Sequence, residues 1–275
     1  MHTLFTRNLA IAIVGVSVSI IGSDVFARTS AKDTGKQQLS STQIVATRRL
    51  TESQYKHTIA DIFGRDITVN GRFEPERRED GLLAIGAAML SISASGFEQY
   101  YSMAKGIADQ VMDDKHRDKF VNCPPNDAVC AREFVRKYGQ LLFRRPLSES
   151  EIASRVALVS AEATQAAKPE TGLKLAMVSL LTSPQFLFRI ETAEPDPTAK
   201  GSYRLDGYSK ATRLSYMLWD TTPDEELMKA AQSGELHSAD GIAKQVDRVL
   251  AAPQMEAGVR AFFTDMLQFD VMDSI

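Results

Sequence analysis

The chain has 275 residues, enough for a buried core in one large domain or two small ones without help from staples. Its apolar fraction of 44% and charged fraction of 24% are those of an ordinary globular protein, which excludes a fibrous or wholly disordered chain. A formal net charge of -3 supplies no field for nucleic acid, so nucleic-acid binding is not expected.

The first segment has the layout of an export signal. Arg7 lies in a short polar lead, an apolar run extends from Leu9 to Gly22, and Val25-Phe26-Ala27 offers a small-x-small cleavage site. The run falls short of the roughly 20 apolar residues that span a bilayer, so cleavage after Ala27 is expected and no membrane span remains. Residues 28–48 are rich in Ser, Thr, Gln and Lys and read as a flexible leader.

Helix signals begin at Leu50. Thr51 caps a first turn to which Gln54 reaches back, Leu50 packs on Tyr55 as a hydrophobic staple, and Tyr55, Ile59, Ile62 and Phe63 share one face up to a stop at Gly64. Residues 65–80 are charged and irregular. Leu82 to Gln110 is apolar enough for one or two helices, with a break expected near Ser95-Gly96.

The stretch NCPPNDAVC (122–130) holds both cysteines of the chain, and Pro124 and Pro125 force it into a turn. A c-type haem needs Cys-x-x-Cys-His, which is absent. A Cys-Cys-His metal site with His116 is the lesser alternative, since its spacing fits no familiar zinc pattern. In an exported protein a Cys123–Cys130 disulfide is the expected state, and chain entropy alone makes so short a loop worth about 2.5 kcal/mol. No metal and no cofactor is expected.

Further helices follow. Phe134, Tyr138, Leu141 and Leu142 mark one face that ends before Pro146, and Ser148 with Glu151 forms a second capping box ahead of Ile152, Val156 and Val159. Pro184 sits at a first-turn position, as does Pro223 in Thr222-Pro223-Asp224-Glu225. Residues 191–202, with two prolines and a glycine, read as a linker. The last two amphipathic faces are Ile242, Val246, Val249 and Leu250, then Val259, Phe262, Phe263, Met266 and Leu267. The fold class is all-α, an irregular or orthogonal multi-helix bundle of two packed subdomains, at 49–192 with the disulfide and at 203–275.

Candidate chemistry is sparse. His57 and Asp61 stand at i and i+4 on the first helix, where they can pair as acid and base or simply hydrogen-bond on its surface. Arg144 and Arg145, near a helix end, can hold an anion or balance the helix dipole. The ten methionines and Trp219 read as packing residues. The chain has no Gly-x-Ser-x-Gly, no phosphate-binding glycine loop and no His-Glu-x-x-His.

Several blocks, in order, resemble a known family. RLTESQYKHTIADIFG (49–64), SGFEQYY (95–101), Cys123 to Cys130 with AREF (131–134), FRRPLSESE (143–151), LTSPQFLFRIE (181–191) and YRLDGYSKATRLSYMLW (203–219) with PDEEL (223–227) are similar to the exported multidomain proteins of unknown function abundant in planctomycetes. Those proteins string together domain-of-unknown-function families 1587, 1595 and 1592, often behind a c-type cytochrome domain. The resemblance covers most of residues 49–275. It implies a periplasmic or secreted protein and a c-type cytochrome or other exported redox protein as partner. The haem-binding front domain of the family is absent, which puts electron transfer by the chain itself in doubt. Family members usually continue beyond the point corresponding to Ile275, so a piece of a longer protein is an expectation, with Phe262, Phe263, Met266 and Leu267 then short of packing partners. Two function classes follow: a non-catalytic module that docks a redox partner, or an enzyme acting oxidatively or hydrolytically on extracellular polymers.

Overall fold

The computed structural model describes residues 43–125, 127–163 and 170–269. The export signal (1–27), most of the leader and the last six residues lie outside them. The described residues all belong to one compact unit spanning Leu39–Ile275.

In chain order the elements are β1 (Gln43–Arg49), α1 (Glu52–Phe63), α2 (Leu83–Gly86), α3 (Ala94–Val111), α4 (Arg117–Phe120), α5 (Ala128–Phe143), α6 (Glu149–Ala163), α7 (Thr171–Leu181) and α8 (Pro184–Leu187). They continue with β2 (Phe188–Pro195), β3 (Tyr203–Leu205), α9 (Gly207–Leu218), α10 (Glu225–Ser233), α11 (Ala239–Ala251) and α12 (Met255–Leu267). The molecule is mostly helical, but the all-α expectation needs correcting: β1, β2 and β3 form an antiparallel sheet in that order. The leader expected to run to Arg48 gives way at Gln43 to a strand, and the segment read as a linker from Glu191 carries β2. Ile44 and Thr47 are β-branched and pair with Thr192 and Ile190, with Val45 at a register shift between Ile44 and Ala46, so a short run that is weak alone is held by its neighbour.

The helix starts follow local chemistry. Thr51 accepts from the Gln54 amide while the Gln54 side chain returns to the Thr51 amide, and Ser148 and Glu151 exchange the same two bonds. Two expectations shift. Pro223 precedes α10 rather than standing in its first turn, because the cap is Asp224, whose carboxylate both accepts from the Leu227 amide and pairs with Arg248. The break within 82–110 falls at 90–93, not at Ser95-Gly96. Ser93 caps α3, and Gly96 sits inside it because a Cβ there would stand 2.4 Å from the Glu74 carboxylate.

One large core joins Tyr55, Ile59 and Phe63 of α1, Met103 and Ile107 of α3, Phe134, Tyr138 and Leu142 of α5 and the almost wholly buried α7. Tyr216 of α9 reaches into it. A smaller core collects Ala211, Leu227, Ala230, Ala231 and Leu236. The sulfurs of Cys123 and Cys130 lie at bonding distance, with Cα atoms 5.7 Å apart, as a disulfide requires. Trp219 is buried and donates to the Val249 carbonyl at 2.9 Å, a packing role.

Helix α12 reaches the rest through two close approaches. Asp265 accepts from Arg78 (2.7 Å) and from the Leu83 and Ala84 amides at the start of α2. Gly258 lies so near α9 that a Cβ would fall 1.8 Å from the Leu218 carbonyl oxygen. Gly258→Ala is therefore expected to cost roughly 1–3 kcal/mol in a denaturant titration. Gly106→Ala, at a position in α3 where an added Cβ meets nothing within 4 Å, is expected to gain about 0.4–1 kcal/mol in the same measurement.

Candidate functional site

An open cleft of about 1750 Å³ is lined by α1, α2, the β1 and β2 residues Arg48, Arg189 and Glu191, α9 with the turn after it, and α12. This exceeds the several hundred Å³ typical of small-molecule sites.

One wall is carried by α1. Ser53, His57 and Asp61 fall on one face at i, i+4 and i+8, and the turn after α9 docks against them. Ser53 Oγ donates to Asp220 Oδ2 at 2.5 Å, His57 Nδ1 lies 3.1 Å from the same oxygen, and Thr221 Oγ1 donates to Asp61 Oδ2 at 2.7 Å. Asp220 is buried and has φ 58°, a left-handed conformation rare for a residue with a side chain. A carboxylate only accepts, so Nδ1 carries the hydrogen of this bond, and in the neutral ring Nε2 keeps the lone pair. The bond to Asp220 raises the His57 pKa; burial opposes that, and the Asp220 and Asp61 charges add to it.

This set is not a nucleophilic triad. There the carboxylate and the serine occupy opposite ring nitrogens and the serine proton passes to the imidazole. Here Ser53 and Asp220 converge on Nδ1, and Ser53 gives its hydrogen to the carboxylate. What the arrangement provides is a His57–Asp220 pair with Nε2 left over for a ligand or a proton.

The facing wall is cationic. Glu191 is buried, and its two oxygens are taken by Arg48 (3.0 Å) and by Arg213 of α9. Burial pushes the Glu191 pKa up, but the Arg213 hydrogen bond and the Arg213, Arg48 and Arg189 charges overcome it and hold it low. Arg189 lies 5.2 Å from the Tyr216 ring centroid. Met217 (77% exposed) and Phe262 (58% exposed) give the cleft apolar surface at its mouth.

Of the residues singled out in the sequence, His57 and Asp61 line this cleft, each bound to the turn after α9. Arg144 does not line it. It closes α5 in the left-handed conformation, buried, and donates to the carbonyls of Gln185 (2.7 Å) and Phe188 (2.7 Å). Arg145 pairs with Glu151 at 2.7 Å and holds the Glu151 carboxyl down at about 2. Cys123 and Cys130 are not among the residues lining the cleft. Sequence reasoning missed Ser53, Arg189, Glu191, Tyr216 and Asp220. Only Ser53 carried a local signal, one turn before His57.

Three family descriptions match in succession: protein of unknown function (DUF1587) over residues 48–113, protein of unknown function (DUF1595) over 130–191, and protein of unknown function (DUF1592) over 205–275. The chain carries these three families in tandem. No curated protein and no solved structure matches it. The cleft lies where the three segments meet: the DUF1587 segment supplies Arg48, Ser53, His57 and Asp61, the DUF1595 segment Arg189 and Glu191, and the DUF1592 segment Arg213, Tyr216 and Asp220.

A proton titration checks the α1 wall. In wild-type protein the His57 ring is expected to titrate by NMR above 6.5, and in Asp220→Asn, which keeps the shape and removes the charge, the midpoint is expected to fall. A wild-type midpoint at or below 6.5 contradicts the assignment.

Proposed function

We propose that the chain is an exported, non-catalytic module that docks a segment of a partner protein in the three-segment cleft. The observation that carries this is the cleft itself: open, larger than a small-molecule site, with exposed Met217 and Phe262 beside a cationic wall. Apolar and aromatic surface next to arginine is the composition that protein interfaces favour. Export is supported by the layout of residues 1–27 and by the Cys123–Cys130 pair at bonding distance. Among the described residues no helix is long and apolar enough to cross a membrane. The partner class, a c-type cytochrome or another exported redox protein, comes from the resemblance of the sequence blocks and from fold-level company alone.

The His57–Asp220 pair favours a second reading, hydrolysis of an extracellular polymer with His57 Nε2 as general base. On that reading turnover falls by about 10²-fold or more in His57→Gln, while Arg145→Gln, outside the cleft, leaves it unchanged.

The docking reading is tested by a photo-crosslinking residue at Met217, with a control at an exposed position outside the cleft, in cells that export the protein. The expected result is an adduct from position 217, absent from the control, that stains for haem. An adduct without haem removes the redox partner and keeps the docking; equal adducts from both positions remove the docking. N-terminal sequencing of the exported chain is expected to begin at Arg28.

A further inference from the structure

Among the described residues, Arg189 is the cation of the cleft's arginine wall that makes no ion pair with a carboxylate. In the antiparallel pairing of β1 and β2 it stands directly opposite Arg48, and strand alternation puts Glu191 on the same face two residues on. Like charges directly opposite each other weaken a sheet. Glu191 relieves only part of this, because one oxygen is taken by Arg48 and the other by Arg213. Three guanidinium groups thus surround one carboxylate, an excess of two positive charges.

The Arg189 side chain makes no hydrogen bond or direct ion pair among the described residues, and its Nε is shut from solvent with no acceptor. Among the described residues its close partner is the Tyr216 ring at 5.2 Å. The Tyr216 hydroxyl offers it nothing, being engaged by Thr58 Oγ1 (2.9 Å) and by Arg144 Nη1 (3.4 Å). Burial lowers the Arg189 pKa to about 10, with the Tyr216 and Glu191 contributions opposing and the Arg48 and Arg144 charges assisting. The group is therefore still charged at neutral pH. A half-buried, still-charged guanidinium is expensive to keep, and its Nη groups, which are not closed off as Nε is, can take a planar acceptor such as a carboxylate.

We propose that Arg189 is the anchor of the cleft and takes an Asp or Glu side chain of the docking segment, with Arg48 and Arg213 supplying the surrounding positive field. The inference rests on the docking reading for the source of the carboxylate, but not for the site. The Arg189 Nη groups pair with the incoming carboxylate, while Met217 and Phe262 cover the apolar part of the same segment. The occupant is thus an acidic, partly apolar peptide.

The test uses the full chain and three probes: the peptide acetyl-Glu-Leu-Glu-amide, its Gln-Leu-Gln counterpart, and inorganic phosphate. With ¹⁵N-labelled protein, the Glu peptide is expected to shift the Arg189 Nε–H resonance, to bind at least about tenfold more tightly than the Gln peptide, and to weaken as salt rises. Arg189→Gln is expected to lose about tenfold or more of that affinity, and Arg189→Lys most of it, because a point charge does not replace the planar fork. Arg136→Gln, at an exposed position of α5 outside the cleft, is expected to bind as wild type. Should Arg189→Gln fail to fold, the wild-type resonance shift decides alone. The inference falls if the Glu peptide leaves the Nε–H resonance unmoved, if both Arg189 variants bind it normally, or if phosphate binds as well as the Glu peptide. A failed crosslink at position 217 with an intact Nε–H shift removes the docking reading and leaves the carboxylate site standing.

Discussion

The guanidinium of Arg144 is the joint on which the structure depends. It sits at the left-handed end of α5, where a helix leaves carbonyls unsatisfied and the chain must turn. From there it donates to the carbonyls of Gln185, Phe186 and Phe188, the exit from α8 into β2, and stands 5.8 Å from the Tyr216 ring of α9. A buried charge is tolerated only when its donors are answered, and here backbone oxygens answer them. The consequence is geometric. Fixing Phe188 fixes the first residue of β2, hence the register that points Arg189 and Glu191 into the cleft; fixing Tyr216 fixes the face of α9 opposite them.

Much of the helical framework was legible because its signals are local. Capping boxes at Thr51 and Ser148, first-turn Pro184 and the stop at Gly64 each act within a few residues, and they fall where the sequence puts them. The sheet was not legible. Gln43–Arg49 is a short run whose strand state depends on pairing with residues about 145 positions away, and β2 starts directly after α8 and finishes at Pro195, inside the stretch read as a linker. Losing β2 also lost the site. Arg189 and Glu191 share a face only with the two-residue period of a strand, and a segment read as linker offers no period at all. Asp220 was hidden for a related reason: nothing near it in sequence marks it, and its partners Ser53 and His57 stand more than 160 residues earlier.

The two walls of the cleft respond to pH in opposite directions. His57 has its pKa raised by Asp220, so its pairing stabilises the folded state fully below 6.5 and is lost as pH rises through the raised folded value. Glu191 and Glu151 are held low by arginines, so their contribution is present above 4.5 and is lost as pH falls through the lowered folded values, about 2 for Glu151. Between 4.5 and 6.5 all three pairs act together. Above that window the His57 pair is the one that weakens, while the Ser53–Asp220 and Thr221–Asp61 bonds still hold α1 to the turn after α9. The arginine wall, joined through Glu191 to β1, β2 and α9, keeps its charge through neutral pH. A cleft with one titrating wall and one fixed wall holds an acidic segment by the fixed side, while its opposite side goes from cationic imidazolium to neutral imidazole as pH rises through the raised His57 value. Retention of a carboxylate at Arg189 therefore does not depend on the protonation state of His57, and the two walls contribute separable terms to whatever the cleft receives.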